Sequence, residues 1–121
     1  MIDGMNLVGS TPDGWWRDRP GAMRRLAAEL AAFAEETGEP VTVVFDGRPF
    51  DIAAPPVEVA FAPQGGRNAA ADVIERMVGT YAAPGNVTVV TSDRKLAERV
   101  RRHGAQVVPA RTFSNTIRSV P

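Results

Sequence analysis

Short β-branched runs that stop at an aspartate alternate along this chain with stretches of helical periodicity, and that alternation leaves few folds open. Val41-Thr42-Val43-Val44-Phe45 runs into Asp46, Val87-Thr88-Val89-Val90-Thr91-Ser92 runs into Asp93, and Met1-Ile2 runs into Asp3. Continuously apolar runs of this length are what strands look like when helices cover both faces of a sheet. Between Asp3 and Val41, Met23, Leu26, Ala27, Leu30 and Ala34 recur at helical spacing. Pro20 suits the first turn of that helix, Asp18 or Arg19 its cap, and Gly38 its end. The expectation is one α/β domain over residues 1–121 with a mostly parallel sheet.

The remaining segments extend the alternation. Gly4 to Arg19, with Gly, Pro, Asn and two Trp, reads as a long loop, and Gly47 to Pro56 as another. Val57, Val59 and Phe61 alternate like a short strand near a sheet edge. A helix is expected from an Asn68 cap to about Tyr81, with Val73, Ile74, Met77, Val78 and Tyr81 facing inward. Ser92 is expected to cap the next helix, whose Leu96, Ala97 and Val100 face inward and which Gly104 closes. Ala105 to Val108 is the last strand, and Thr112 to Ser119 a short terminal helix. Right-handed crossovers then favour the order 3-2-1-4-5, with strands 2, 1 and 4 side by side.

That order sets Asp46, Asp3 and Asp93 in a row at the carboxyl edge, where ligands of open α/β sheets bind. Grouped carboxylates repel one another, and a hard divalent cation with oxygen ligands is the usual remedy. Asp72, early in the third helix, stands at the polar border of its apolar stripe, with Glu75 one turn on. Each acid also has a plain structural reading. Asp3-Gly4 and Asp46-Gly47 are common turns, with Gly4 allowing a tight one. Asp93 and Asp72 suit the first turn of a helix, where the dipole favours negative charge. Asn6 can fold its amide back toward a metal or a phosphate.

Composition narrows the chemistry. Cys is absent, which excludes disulfides, thiolate metal sites and Cys nucleophiles. One histidine, His103, excludes a histidine-rich zinc site; it sits near a helix end and is assigned no catalytic role. No apolar run approaches the ~20 residues of a membrane span. No secretory leader is read at the N-terminus, and a cytoplasmic location is expected. Formal net charge is zero, so contact with a polyanion must come from local patches. Arg94 and Lys95, beside Asp93, are the best phosphate contacts. The bias of a GC-rich genome is the stronger reading of the Arg and Ala excess. Trp15-Trp16 either stack on bases or close their loop over the core.

Asp3-Gly4-Met5-Asn6-Leu7, Val43-Val44-Phe45-Asp46-Gly47, Gly66-Arg67-Asn68-Ala69-Ala70-Ala71-Asp72-Val73-Ile74 and Val90-Thr91-Ser92-Asp93 occur in that order. No single block is specific, but the four in sequence resemble the YacP-like branch of the NYN domains, within the PIN-like nuclease superfamily. The resemblance covers essentially the whole chain. It implies a three-layer sandwich with a 3-2-1-4-5 sheet. It also implies metal-dependent cleavage of RNA, by enzymes linked to translating ribosomes. Carried over by position, the site is Asp3, Asn6, Asp72 and Asp93, with Asp46 in support. Asp3, Asp72, Asp93 and Asp46 would hold Mg²⁺ or Mn²⁺, and Ser92, Arg94, Lys95 and Arg67 would contact substrate.

Two departures stand out. The family has paired acids in the helix block, and the first falls on Ala71. Only Met1 and Ile2 precede Asp3, fewer apolar residues than the family's first strand carries, which implies a strand cut short. The reading is a metal-dependent endoribonuclease with RNA, and the ribosome, as partners. Its rival is an RNA- or ribosome-binding module of the same fold with an impaired site, which Ala71 favours. A phosphohydrolase of small phosphate esters ranks last, because Phe45-Asp46-Gly47 lacks the nearby second Asp of a phospho-aspartyl enzyme. Oligomeric state is open, a homodimer included.

Overall fold

Alternate residues of each strand enter two different cores. Val43 and Phe45 pack into one and Val44 into the other; Val90 and Val89 divide the same way. Such division requires a sheet covered on both faces, and the computed structural model, which describes residues 1–10, 14–62, 69–81 and 83–118, has that architecture. The strands are β1 (Ile2–Asp3), β2 (Thr42–Asp46), β3 (Glu58–Ala62), β4 (Thr88–Val90) and β5 (Gln106–Val108). All pairings are parallel and the order is β3-β2-β1-β4-β5, as expected. Ile2 faces Val43 on one side and Val90 on the other, which puts β1 at the centre.

Helices α1 (Gly4–Val8), α2 (Arg19–Thr37) and α5 (Ala110–Arg118) supply Leu7, Val8, Met23, Leu26, Leu30 and Ile117 to the first core. Helices α3 (Ala69–Gly79) and α4 (Arg94–Arg102) supply Ile74, Val78, Leu96 and Val100 to the second. Asp18 caps α2 by accepting from the Gly21 N–H at 3.0 Å, and Gly38 ends it at φ 72°. No helix among the described residues is long and apolar enough to cross a membrane.

Four local expectations need correction. The stretch after Asp3 is not loop throughout: α1 starts at Gly4, and Trp15–Arg17 form a 3₁₀ turn. Gly4 serves close packing rather than a tight turn, since a Cβ there would lie 2.4 Å from the Phe45 ring and 2.8 Å from the Val44 carbonyl oxygen. Asp93, not Ser92, caps α4, while the Ser92 hydroxyl accepts from Ala110 N–H at the start of α5. Tyr81 lies past the end of α3 and is exposed; the inner face of that helix is Ala70, Ala71, Ile74 and Val78, with Val73 and Met77 partly buried against the same core. The expected Asn68 cap and Ser119 lie outside the described residues.

Candidate active site at the carboxyl edge

Parallel strands all present their carboxyl ends to the same edge, so β1, β2 and β4 deliver Asp3, Asp46 and Asp93 there together. Asp3 is only 8% exposed. Its Oδ2 accepts from the Thr91 hydroxyl at 2.8 Å, and the same hydroxyl oxygen accepts from the Asp93 N–H at 3.1 Å. One buried threonine therefore ties the central acid to the strand end beside it. Burial pushes the Asp3 carboxyl up to about 6 from an ordinary 3.8; the charges of Asp46 and Asp93 add to the rise. The Thr91 hydroxyl and the Asn6 backbone amide oppose it.

Each flanking acid is half committed to a helix terminus. Asp93 Oδ1 accepts from the N–H groups of Lys95 at 2.9 Å and Leu96 at 3.4 Å. Asp46 Oδ1 accepts from Ala70 N–H at 3.1 Å, so a strand-end acid receives an N–H from the first turn of α3. Their second oxygens have no partner among the described residues, and no ion pair there neutralises Asp3, Asp46 or Asp93.

Asp72 goes elsewhere. Its side chain is 55% exposed and accepts from Arg99 Nη2 at 2.7 Å. The Arg99 Nε bonds Glu75, whose other oxygen lies 3.2 Å from His103 Nε2. This network joins α3 to α4. Arg99, then His103, hold the Glu75 carboxyl below its usual range, and the two acids raise Arg99. Ala71, by contrast, is 8% exposed and faces the second core, next to the residue that bonds Asp46. The helix thus turns the position of the family's first acid toward the sheet and the acid it retains toward Arg99.

Asn6 lies on α1, and its Oδ1 accepts from Ser92 N–H at 2.8 Å, clasping α1 to the β4–α4 loop. Its amide hydrogens have no partner among the described residues. Ser92, Arg94 and Lys95 are exposed at the same loop, and Arg94 and Lys95 form no ion pair among the described residues. Arg67 lies outside the described residues. Sequence reasoning missed the role of Thr91 and, for Arg99, one of the basic candidates on the fourth helix, its pairing with Asp72 and Glu75. Thr91 looked like the last residue of a strand, and Arg99 like one of several solvated charges on α4.

Hard oxygen donors beside an uncompensated, buried carboxyl suit a divalent cation chemically. Among the described residues, however, no three acidic or histidine side chains stand close enough together to hold one ion. Asp3, Asp46 and Asp93 share the edge; the expected trio of Asp3, Asp72 and Asp93 is not assembled.

The model of the YacP-like NYN domain matches residues 1–121. No curated protein matches the chain. Among solved structures, the fold is similar to Rae1 (YacP) from Bacillus subtilis, with a TM-score of 0.83 and 24% identity, covering 98% of this chain and 72% of that one. A point mutant of the same Bacillus subtilis protein gives a TM-score of 0.82 at 24% identity, covering 98% and 74%. At that identity the likeness speaks for the fold.

Proposed function

The chain belongs to the YacP-like NYN domain family, with its PIN-like nuclease fold, and from that premise we propose that it is a metal-dependent endoribonuclease. The observation that carries the reading is the convergence of Asp3, Asp46 and Asp93 on one sheet edge, with the central carboxyl pushed up to about 6 and no counter-ion for it among the described residues. When bound, Mg²⁺ or Mn²⁺ would supply a water of lowered pKa and offset charge developing at the phosphate. Asp3, Asp93 and Asp46 would supply its protein oxygen donors on this reading, with waters completing the shell, since no three acids among the described residues stand close enough to hold one ion by themselves. Asp72 joins them only by leaving Arg99. Thr91 fixes the orientation of Asp3. Asn6 orients a water or a phosphate oxygen through its uncommitted amide. Arg94 and Lys95 contact flanking phosphates with Ser92 beside them, and Arg67, outside the described residues, is a further substrate contact that the family implies. Water attacks the phosphodiester in line with the leaving oxygen, and no covalent intermediate forms. Ribosome-associated mRNA is the finer expectation from the family.

The second reading, an RNA- or ribosome-binding module with an impaired site, is favoured by Ala71 and by the Asp72–Arg99 pair. Incubation of the protein with single-stranded RNA in Mn²⁺, Mg²⁺ or EDTA separates the two. Internal cleavage that needs the cation is expected. Binding without cleavage in either metal would replace the nuclease by the binding module.

A further inference from the structure

The two adjacent tryptophans are not equivalent. Trp15 is half-buried and packs on the first core, whereas Trp16 is 61% exposed. Their rings meet edge to face, 6.2 Å apart at 86°. The backbone beneath them is fixed by Arg17 N–H to the Gly14 carbonyl at 3.0 Å and Asp18 N–H to the Trp15 carbonyl at 3.2 Å. Trp16 is thus an indole held in place and left open to solvent. We propose that Trp16, with Arg17 and Arg19 following it, is a stacking site for a base of single-stranded RNA on its way to the carboxyl edge.

Topology sets the location. Helix α2 returns from the carboxyl edge to the amino edge, where β2 starts. Its 19 residues span roughly 28 Å against roughly 17 Å for the five of β2. The first turns of α2 therefore overhang the carboxyl edge. Arg24 confirms the direction: it donates to the Asp51 carbonyl at 3.2 Å and lies 5.0 Å over the Phe50 ring, in the loop that leaves Asp46. Trp16 to Arg19 lie a turn or two farther out. A Cβ at Gly9, where the α1 that begins after Asp3 ends, would be 3.8 Å from the Trp15 ring. The other exposed large apolar side chain among the described residues, Tyr81, lines a groove with Met1, Thr42 and Thr88 at the opposite edge.

Charge selects the ligand. Arg17 and Arg19 are exposed and form no ion pair among the described residues, and the Asp18 carboxylate is committed to its cap. A planar π-face on a segment that also carries two exposed arginines suits a base and neighbouring phosphates, and it does not distinguish one base from another. The choice of RNA rests on the nuclease reading above; the stacking geometry does not.

The test is fluorescence anisotropy of an end-labelled 12-nucleotide RNA, single-stranded or annealed to its complement, in EDTA. Stacking on one base is worth ~1–3 kcal/mol, so Trp16→Ala should weaken single-strand binding by about 5-fold to 150-fold. It should leave duplex binding unchanged, because paired bases offer no free face. Trp16→Phe should retain most of the affinity and Trp16→Leu should not. That comparison decides the matter even if Trp16→Ala folds poorly. Equal binding by the Phe and Leu variants, or no single-strand binding by the wild type, would overturn the proposal. Retained RNA affinity in all three variants would instead mark Trp16 as a contact for a protein partner. Metal-dependent cleavage by the wild type is scored separately: its absence, with Trp16-dependent binding intact, removes the nuclease and keeps the stacking site.

Discussion

Asp3 carries a cost that a purely structural residue would not retain. Its carboxyl titrates near 6 in the folded protein and near 3.8 unfolded. Between those values the native state binds the extra proton, so the stability it confers is full below about pH 4 and is lost as pH rises through 6. The loss is on the order of 3 kcal/mol. Metal-free protein should therefore melt lower at pH 7 than at pH 5 by this term, and Asp3→Asn should flatten that slope and raise the melting temperature at pH 7. An unchanged slope in the variant would show that Asp3 is not the group responsible. Ala71 is the second residue to probe. Ala71→Asp places a carboxylate on the buried, sheet-facing side of α3, beside the N–H that bonds Asp46. The metal-free variant should lose about 1–3 kcal/mol through desolvation, and Mn²⁺ should recover it with tighter binding than the wild type. Weaker Mn²⁺ binding in calorimetric titration would mean that the site does not lack this acid.

At the level of elements, capping explains how two of the acids are positioned and how to separate their roles. Asn caps a helix about as well as Asp does. Asp93→Asn should keep the melting temperature within a degree or two, whereas Asp93→Ala should cost ~1 kcal/mol. A large loss in the Asn variant would mean that the charge itself holds the fold. Gly4→Ala tests the α1–β2 contact: with Phe45 and the Val44 carbonyl both under 3 Å from the new methyl, a loss of ~1–3 kcal/mol is expected from overpacking. Strand content, strand order and the three edge acids were legible because apolar runs and crossover handedness are local or topological signals. Helix α1 was not, because five residues including Gly4 and Asn6 have no helical propensity to read; its stability comes from packing Leu7 and Val8. The Ser92 and Asp93 caps were exchanged because either residue suits an N-cap, and only the position of α5 decides which N–H each reaches. The Asp72–Arg99 pair spans 27 residues and two helices, so no spacing rule reveals it.

Across the whole molecule, the parallel sheet does the assembling: it turns three acids far apart in sequence into neighbours, and its central strand carries the one that is buried. Thr91 then couples Asp3 to Asp93, and α1, through Asn6, closes the edge from the other side. On the proposed function, this edge cleaves RNA with a divalent cation. The decisive experiment is single-turnover cleavage of a single-stranded RNA in Mn²⁺ by the wild type and by Asp93→Asn, matched for melting temperature. Cation-dependent internal cleavage by the wild type is expected, with a loss of at least a hundredfold in the variant, about 2.7 kcal/mol of transition-state stabilisation. Cleavage by Asp93→Asn at the wild-type rate would contradict it.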